Sequence, residues 1–255
     1  MQQMSVTCIR FLFAAAFAMA PACTYAADAI SFTASDRVEV FADYYSAGSQ
    51  EKPLILLFHQ AGSNRGEYAT IGPVLATLGF NALAIDQRSG GNAWGRTNET
   101  VKRLGTSTGY DAALPDLEAA LQWAKSSGQT GPIIVWGSSY SAALVFLLVA
   151  HHRHEVKAIL AFSPGEHLRG SSTVRKAAAQ VSIPIFVTSA KDPKEIAVAQ
   201  SISMSRPPPK KANSSRRSQA SMAPQRSERT RTLMEPKKIW RRSNNFSRNS
   251  PPSRH

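Results

Sequence analysis

The stretch Ile133-Ile134-Val135-Trp136-Gly137-Ser138-Ser139-Tyr140-Ser141-Ala142 decides how this chain folds. Pro132 to Trp136 is an apolar run of strand length, as expected of a strand covered on both faces. From Ser141 to His151 the pattern is helical. Almost nothing separates the two, so the chain has to bend sharply between them. That bend has the form G-x-S-x-S, a close relative of the G-x-S-x-G turn that exposes a nucleophilic serine. Small residues are needed two places before and after the nucleophile, where the neighbouring strand and helix crowd the turn. Gly137 meets this need; Ser141 meets it less well than glycine. Ser139 is the candidate nucleophile, and the N–H of Tyr140, at the helix start, points where an oxyanion would form. The bland alternative is a serine-rich loop between strand and helix.

Working outward, strand-length runs alternate with helical patterns. Arg37 to Ala42 alternates with period two, which predicts an early antiparallel strand. Pro53–Phe58, Asn81–Ile85, Val156–Phe162 and Ile183–Thr188 predict further buried strands. Helices are expected over Glu67–Leu78, ended by Gly79, and over Tyr110–Lys125, where Leu114, Leu117, Leu121 and Ala124 share one face. This β-α-β-α rhythm implies an α/β fold with a mostly parallel sheet and helices on both faces. No internal repeat is visible.

Phe58-His59-Gln60-Ala61-Gly62-Ser63-Asn64, just after one buried strand, and Asp86-Gln87-Arg88-Ser89-Gly90-Gly91, just after another, complete the pattern. Together with the bend at Ser139 they make the chain resemble an α/β-hydrolase over roughly residues 30–200. More narrowly it resembles the exported, dienelactone-hydrolase-like single-domain esterases, with serine in place of the cysteine of the dienelactone hydrolases proper. The resemblance implies that the turn after His59 supplies the second oxyanion N–H, from Gln60 or Ala61. It implies structural roles for Asp86 and Arg88, and no cap domain. In this fold the triad order is nucleophile, acid, histidine, so His59 falls too early to be the base and is expected to organise its loop by hydrogen bonding. Asp192, after the strand ending at Thr188, lies where the family places its carboxylate, with Glu195 a second candidate one turn on. Asp192 could equally be the N-cap of the helix beginning at Pro193.

A triad then needs a histidine beyond Asp192, and the sequence offers only His255. His151, His152 and His154 end the nucleophile helix on its far side and are expected to cap its C-terminus. His167 lies nearer the rim, on a loop that is not the family's base position. The tail suggests why the base is missing. Residues 1–202 carry 16 Lys and Arg against 15 Asp and Glu, whereas residues 203–255 carry 14 against 2, so nearly all of the formal charge of +13 sits in the tail. A uniformly basic nucleic-acid-binding domain is thereby excluded. The tail also contains no Gly, Val, Asp or Tyr. It reads as a disordered basic linker, as a nucleic-acid or membrane-binding arm, or as the product of a shifted reading frame.

The third reading is favoured by the codons. Joining the third base of each codon to the first two of the next makes Met222–Ala223 encode GGC, glycine, with no freedom. A Ser221 codon ending in C gives histidine, and an Ala220 codon ending in G gives valine. The resulting Val-His-Gly resembles the family's catalytic histidine turn. Further on, Pro236 to Arg248 permits an amphipathic helix, Glu-Glu-Asp-Leu-Ala-Ala-Val-Glu-Gln-Phe-Leu-Ala, fit to close the domain. The junction is expected between residues 198 and 210. On this reading the last strand and helix of the fold are missing, which exposes a sheet edge.

Residues 1–26 read as a secretory signal peptide: Arg10, the apolar run Phe11–Ala20, and a small-residue exit with cleavage after Ala26. Lipid attachment at Cys23 is the alternative, though Ala20-Pro21-Ala22 suits it poorly. The expected organisation is therefore a leader (1–26), a C-terminally incomplete domain (27–202) and a basic tail (203–255), in an exported, periplasmic or extracellular protein. Cys8 and Cys23 are the only cysteines, so no disulfide framework exists. No membrane-spanning run, cofactor motif or metal-ligand spacing is evident. Three classes remain: a hydrolase of small carboxylic esters or lactones through Ser139 and Asp192, impaired by the lost histidine; a non-catalytic exported relative; and a nucleic-acid or anionic-surface binder acting through the tail.

Overall fold

The computed structural model describes residues 26–207. The expected leader up to residue 25 with its two cysteines, the Val-His-Gly positions at 220–222 and His255 lie outside the described residues. Seven strands form one sheet: β1 (Asp28–Thr33), β2 (Glu39–Tyr45), β3 (Leu54–Phe58), β4 (Asn81–Ile85), β5 (Ile133–Ser138), β6 (Val156–Phe162) and β7 (Ile185–Thr188). Their order across the sheet is β1-β2-β4-β3-β5-β6-β7. β1 and β2 run antiparallel to their neighbours; the other five are mutually parallel. The helices are α1 (Gly72–Thr77), α2 (Glu99–Leu104), α3 (Leu114–Ser126), α4 (Tyr140–His151), α5 (Thr173–Ala178) and α6 (Pro193–Met204).

The period-two geometry of a strand explains how one apolar run serves two cores. Leu54, Leu56 and Phe58 of β3 face the larger core with α3, α4 and α5, while Ile55 and Leu57 face the smaller one with Leu75 and Ala76 of α1. The mostly parallel sheet with helices on both faces is thus as the sequence predicts. Several elements differ from expectation. β1 was not anticipated, and β2 begins two residues later than expected because Val40 and Ala42, not Arg37, enter the core. The expected helix over 67–78 is interrupted: a 3-10 turn covers Arg65–Tyr68 and α1 restarts at Gly72. Pro73 belongs in a first helical turn, and Gly72 lies so close to the Tyr45 ring that a Cβ there would stand 2.4 Å from it. Likewise Pro115 divides the expected 110–125 helix into a 3-10 turn and α3.

Asp86 and Arg88 are structural, as the resemblance implies. Asp86, fully buried, accepts the amides of Arg65 (2.8 Å) and Glu99 (2.7 Å) and pairs with the Arg65 guanidinium. Arg88 grips buried Asp116 through Nε (2.9 Å) and Nη2 (2.7 Å) and reaches Asp36. Burial pushes the Asp86 and Asp116 carboxyls up, against the pull of their arginine partners.

Among the described residues β7 is the sheet's last strand, and all four of its residues are only half-buried. Ile196, Val198 and Met204 of α6 are exposed, Val198 in the wall of a cavity. Ile202, however, is fully buried, so α6 packs as a native helix to within two residues of its end.

Candidate active site

The site begins with β5. Its apolar residues fix it in the sheet centre between β3 and β6, and its ladder runs on past its end, Ser139 N–H donating to Phe162 O at 2.8 Å. Ser139 is then forced to φ 56° and ψ −119°, a strained conformation for a residue with a side chain, before α4 starts at Tyr140. Gly137 allows this: a Cβ there would sit 2.4 Å from Ser141 O and 2.6 Å from Ala142 N. At the other flank Ser141 does more than tolerate crowding. Its buried hydroxyl donates to His59 O at 2.6 Å and accepts from Gln87 Nε2 at 2.9 Å, tying the turn to the ends of β3 and β4. Serine in the place of glycine is therefore a brace.

Ser139 opens on a cavity of about 700 Å³ at the carboxyl ends of the parallel strands, the usual place for a ligand in such a sheet. Gln60, Glu67, Trp94, Phe162 and His167 line it as well. α4 starts directly behind Ser139, so its N-terminal, positive dipole end adjoins this space. Tyr140 itself is buried and is not one of the residues lining the cavity; its hydroxyl accepts from Gln87 Nε2 and Ser89 Oγ, both at 2.8 Å.

The second oxyanion donor was left between two amides, and the structure treats them differently. Gln60 N–H donates to Glu67 Oε2 at 3.0 Å. Ala61, exposed, hydrogen-bonds through its amide to no protein acceptor among the described residues. Glu67 was not anticipated. Its carboxyl is buried in the cavity wall beside Ser63 and Ser138, and burial pushes it up against the pull of the Gln60 amide. Nothing in the sequence distinguishes Glu67 from an ordinary acidic residue in a first turn, since only the fold brings it under β5.

His59 is as expected. Fully buried, it accepts from Gln87 N–H at Nε2 (3.0 Å), which leaves Nδ1–H to donate to Gln60 O (2.8 Å). Burial lowers its pKa to about 4, with the Gln60 carbonyl opposing. It is a neutral pin between two loops.

Asp192 follows β7, and its Oδ1 accepts the amides of Lys194 (2.9 Å) and Glu195 (3.1 Å) as the N-cap of α6. It is exposed and does not line the cavity, whereas Lys194 and Glu195 do. Replacing Asp192 by alanine should therefore cost about 1 kcal/mol in a urea titration of this chain, the usual worth of such a cap. An unchanged midpoint would contradict the cap. His151 and His152 face acids instead of capping carbonyls: His151 Nδ1 is 3.3 Å from Glu118 and His152 Nδ1 is 3.2 Å from Glu155. No cluster among the described residues could hold a metal ion, and no described helix is long and apolar enough to cross a membrane. His167, placed near the rim from sequence, is brought into the wall of the same cavity as Ser139.

A family model described as "Serine aminopeptidase, S33" matches residues 49–195. Among solved structures, the chain resembles an esterase of Pyrococcus furiosus at 18% identity and TM-score 0.55, over 72% of this chain and 79% of that one. It also resembles the dienelactone hydrolase of Anabaena variabilis at 16% identity and TM-score 0.57, over 71% and 81%. At these identities the likeness is one of fold. A comparison with curated proteins gave no match.

Proposed function

The chain belongs to the serine aminopeptidase S33 family of α/β-hydrolases, and from that premise we propose that it descends from an exported hydrolase of small carboxylic esters or lactones that uses Ser139 as nucleophile. The observation that carries this reading is the strained backbone of Ser139 at the mouth of the cavity. Strain of this kind persists only where the surroundings impose it, and it gathers at functional positions.

In the intact lineage Ser139 Oγ attacks the carbonyl carbon while its proton passes to a histidine. The carbonyl electron pair moves onto oxygen, facing the amides of Tyr140 and Ala61; Gln60 joins them only when Glu67 releases it. Collapse expels the alcohol, which takes the proton back, and water then frees the acid by the same steps. Asp192 would orient that histidine with the oxygen its cap leaves free. The histidine itself is the one encoded by the alternative frame near residue 221. Ile202, native in its packing, favours a junction after it, between 203 and 210. The chain as written is accordingly an impaired hydrolase, exported by its first 26 residues.

Labelling with a fluorophosphonate tests the nucleophile directly. Weak labelling is expected on Ser139 and none in Ser139→Ala. Equal labelling of the two proteins would overturn the assignment. No labelling even after the reading frame is restored would leave the second reading, a non-catalytic exported relative, which is favoured by Asp192 being spent on a cap.

A further inference from the structure

We propose that in this chain His167 is the group that takes the proton from Ser139. The inference rests on Ser139 being the nucleophile and goes beyond it, because it gives a base to a chain whose described residues place none after β7. Two histidines come near the site in sequence or space, and the structure separates them. His59 is enclosed with both ring nitrogens engaged. His167 is exposed, lines the cavity that Ser139 opens on, and among the described residues has no protein group bonded to either ring nitrogen.

The position of His167 is built. Ser163, just past the end of β6, has φ 52° and its N–H donates to Thr188 O at 2.7 Å, so the exit from the strand is held by β7. Gly165 follows, and the imidazole lies flat against it: a Cβ at 165 would stand 2.5 Å from Nε2 and 2.7 Å from Cε1. Any other residue there would displace the ring. On one side of His167 the Glu166 carboxylate accepts Val174 N–H (2.9 Å) and Arg175 N–H (3.1 Å). On the other, Leu168 is buried in the larger core and Arg169 N–H is held by Asp111 at 3.0 Å. The backbone on both sides is fixed, and the exposed ring stands in the wall of the cavity that Ser139 also lines. Apo geometry that is longer than a hydrogen bond does not exclude such a base, since these contacts close on substrate.

The step balances as in any serine hydrolase. As the Ser139 Oγ–carbon bond forms, the Oγ proton moves to an imidazole nitrogen. The imidazolium returns it to the departing alkoxide as the carbon–oxygen bond breaks. Water then attacks the acyl-enzyme, losing its proton to the same nitrogen, which returns it to Ser139 Oγ as the acyl carbon–Oγ bond breaks and the acid leaves. Without an orienting carboxylate this base is a poor one, and the turnover it supports is small.

The experiment uses the full chain with p-nitrophenyl acetate as probe, counting only the rate that Ser139→Ala abolishes. His167→Ala should lower that rate at least about tenfold, and free imidazole, which can enter the vacated space, should restore part of it. Imidazole added to Ser139→Ala measures the uncatalysed background. A structural role would give a loss that imidazole does not repair, so loss without rescue overturns the proposal. A rate unchanged in His167→Ala, or no Ser139-dependent rate at all in the parent chain, overturns it too. If the frame-restored chain shows activity that Ser139→Ala leaves intact, the nucleophile reading has failed instead. Equal unfolding midpoints of parent and His167→Ala establish that the exposed ring was removed without loss of fold.

Discussion

Restoring the alternative reading frame after Ile202 should raise p-nitrophenyl acetate turnover by roughly three orders of magnitude or more. Removing the histidine of a serine triad costs about that much or more, and restoring it regains the same factor. The gain has a second source. β7 is only half-buried and Ile196 and Met204 of α6 are exposed, so a further strand and helix packed beside β7 would have apolar surface to cover. Covering it should raise the unfolding midpoint together with the rate. A restored chain that gains stability but no activity would leave the fold argument standing and sink the catalytic one. Asp192 then separates its two roles. In the chain as written Asp192→Ala costs only the cap, about 1 kcal/mol. In the restored chain it should also lower kcat by orders of magnitude, because the histidine loses the carboxylate that holds its tautomer.

Much of this architecture is legible in the sequence because the parallel strands are covered on both faces. Leu54–Phe58, Ala82–Ile85 and Ile133–Trp136 are apolar throughout, and no amphipathic reading competes with them. β1 escaped because Asp28–Thr33, at the sheet's far edge, is mostly exposed and its pattern is faint. The helix expected over 67–78 failed for another reason: the Gly72–Pro73 break yields to Tyr45, a residue distant in sequence. The turn at Ser139 could be read from Gly137 alone, since a steric requirement between near neighbours leaves a local mark. Glu67 left none, and the sequence placed His167 only near the rim. Both reach the cavity through loops whose course is set by contacts far along the chain, Glu67 by the Gln60 amide and His167 by the anchoring of Glu166 on α5. The surplus hydroxyl of Ser141 looked like a weaker fit to the bend for the same reason, as its partners His59 and Gln87 lie on two other strand ends.

Those two partners carry the other large effect, which is one of pH. His59 titrates near 6.5 in an unfolded chain but only near pH 4 in the folded protein, where it is shut away from water. Between those values the unfolded chain binds a proton that the folded one refuses. Stability therefore rises with pH across this window; it is fully present above 6.5 and is lost as the pH falls toward 4. The difference in pKa corresponds to about 3 kcal/mol. Glu67, Asp86 and Asp116 act oppositely, because burial raises their carboxyls and the folded state holds their protons longer on the acid side. The total pH dependence of the wild type is thus a compromise, and only a difference between proteins isolates the histidine. In His59→Gln the amide oxygen can still accept the Gln87 N–H, and no titrating group remains at the position. Urea unfolding from pH 7 to pH 4 should show the wild type losing up to about 3 kcal/mol more than His59→Gln. Parallel curves for the two proteins would mean that the ring is protonated in the folded state. The pin joining the ends of β3 and β4 would then carry charge, and the loop bearing Gln60 and Ala61 would be held by something other than a neutral imidazole.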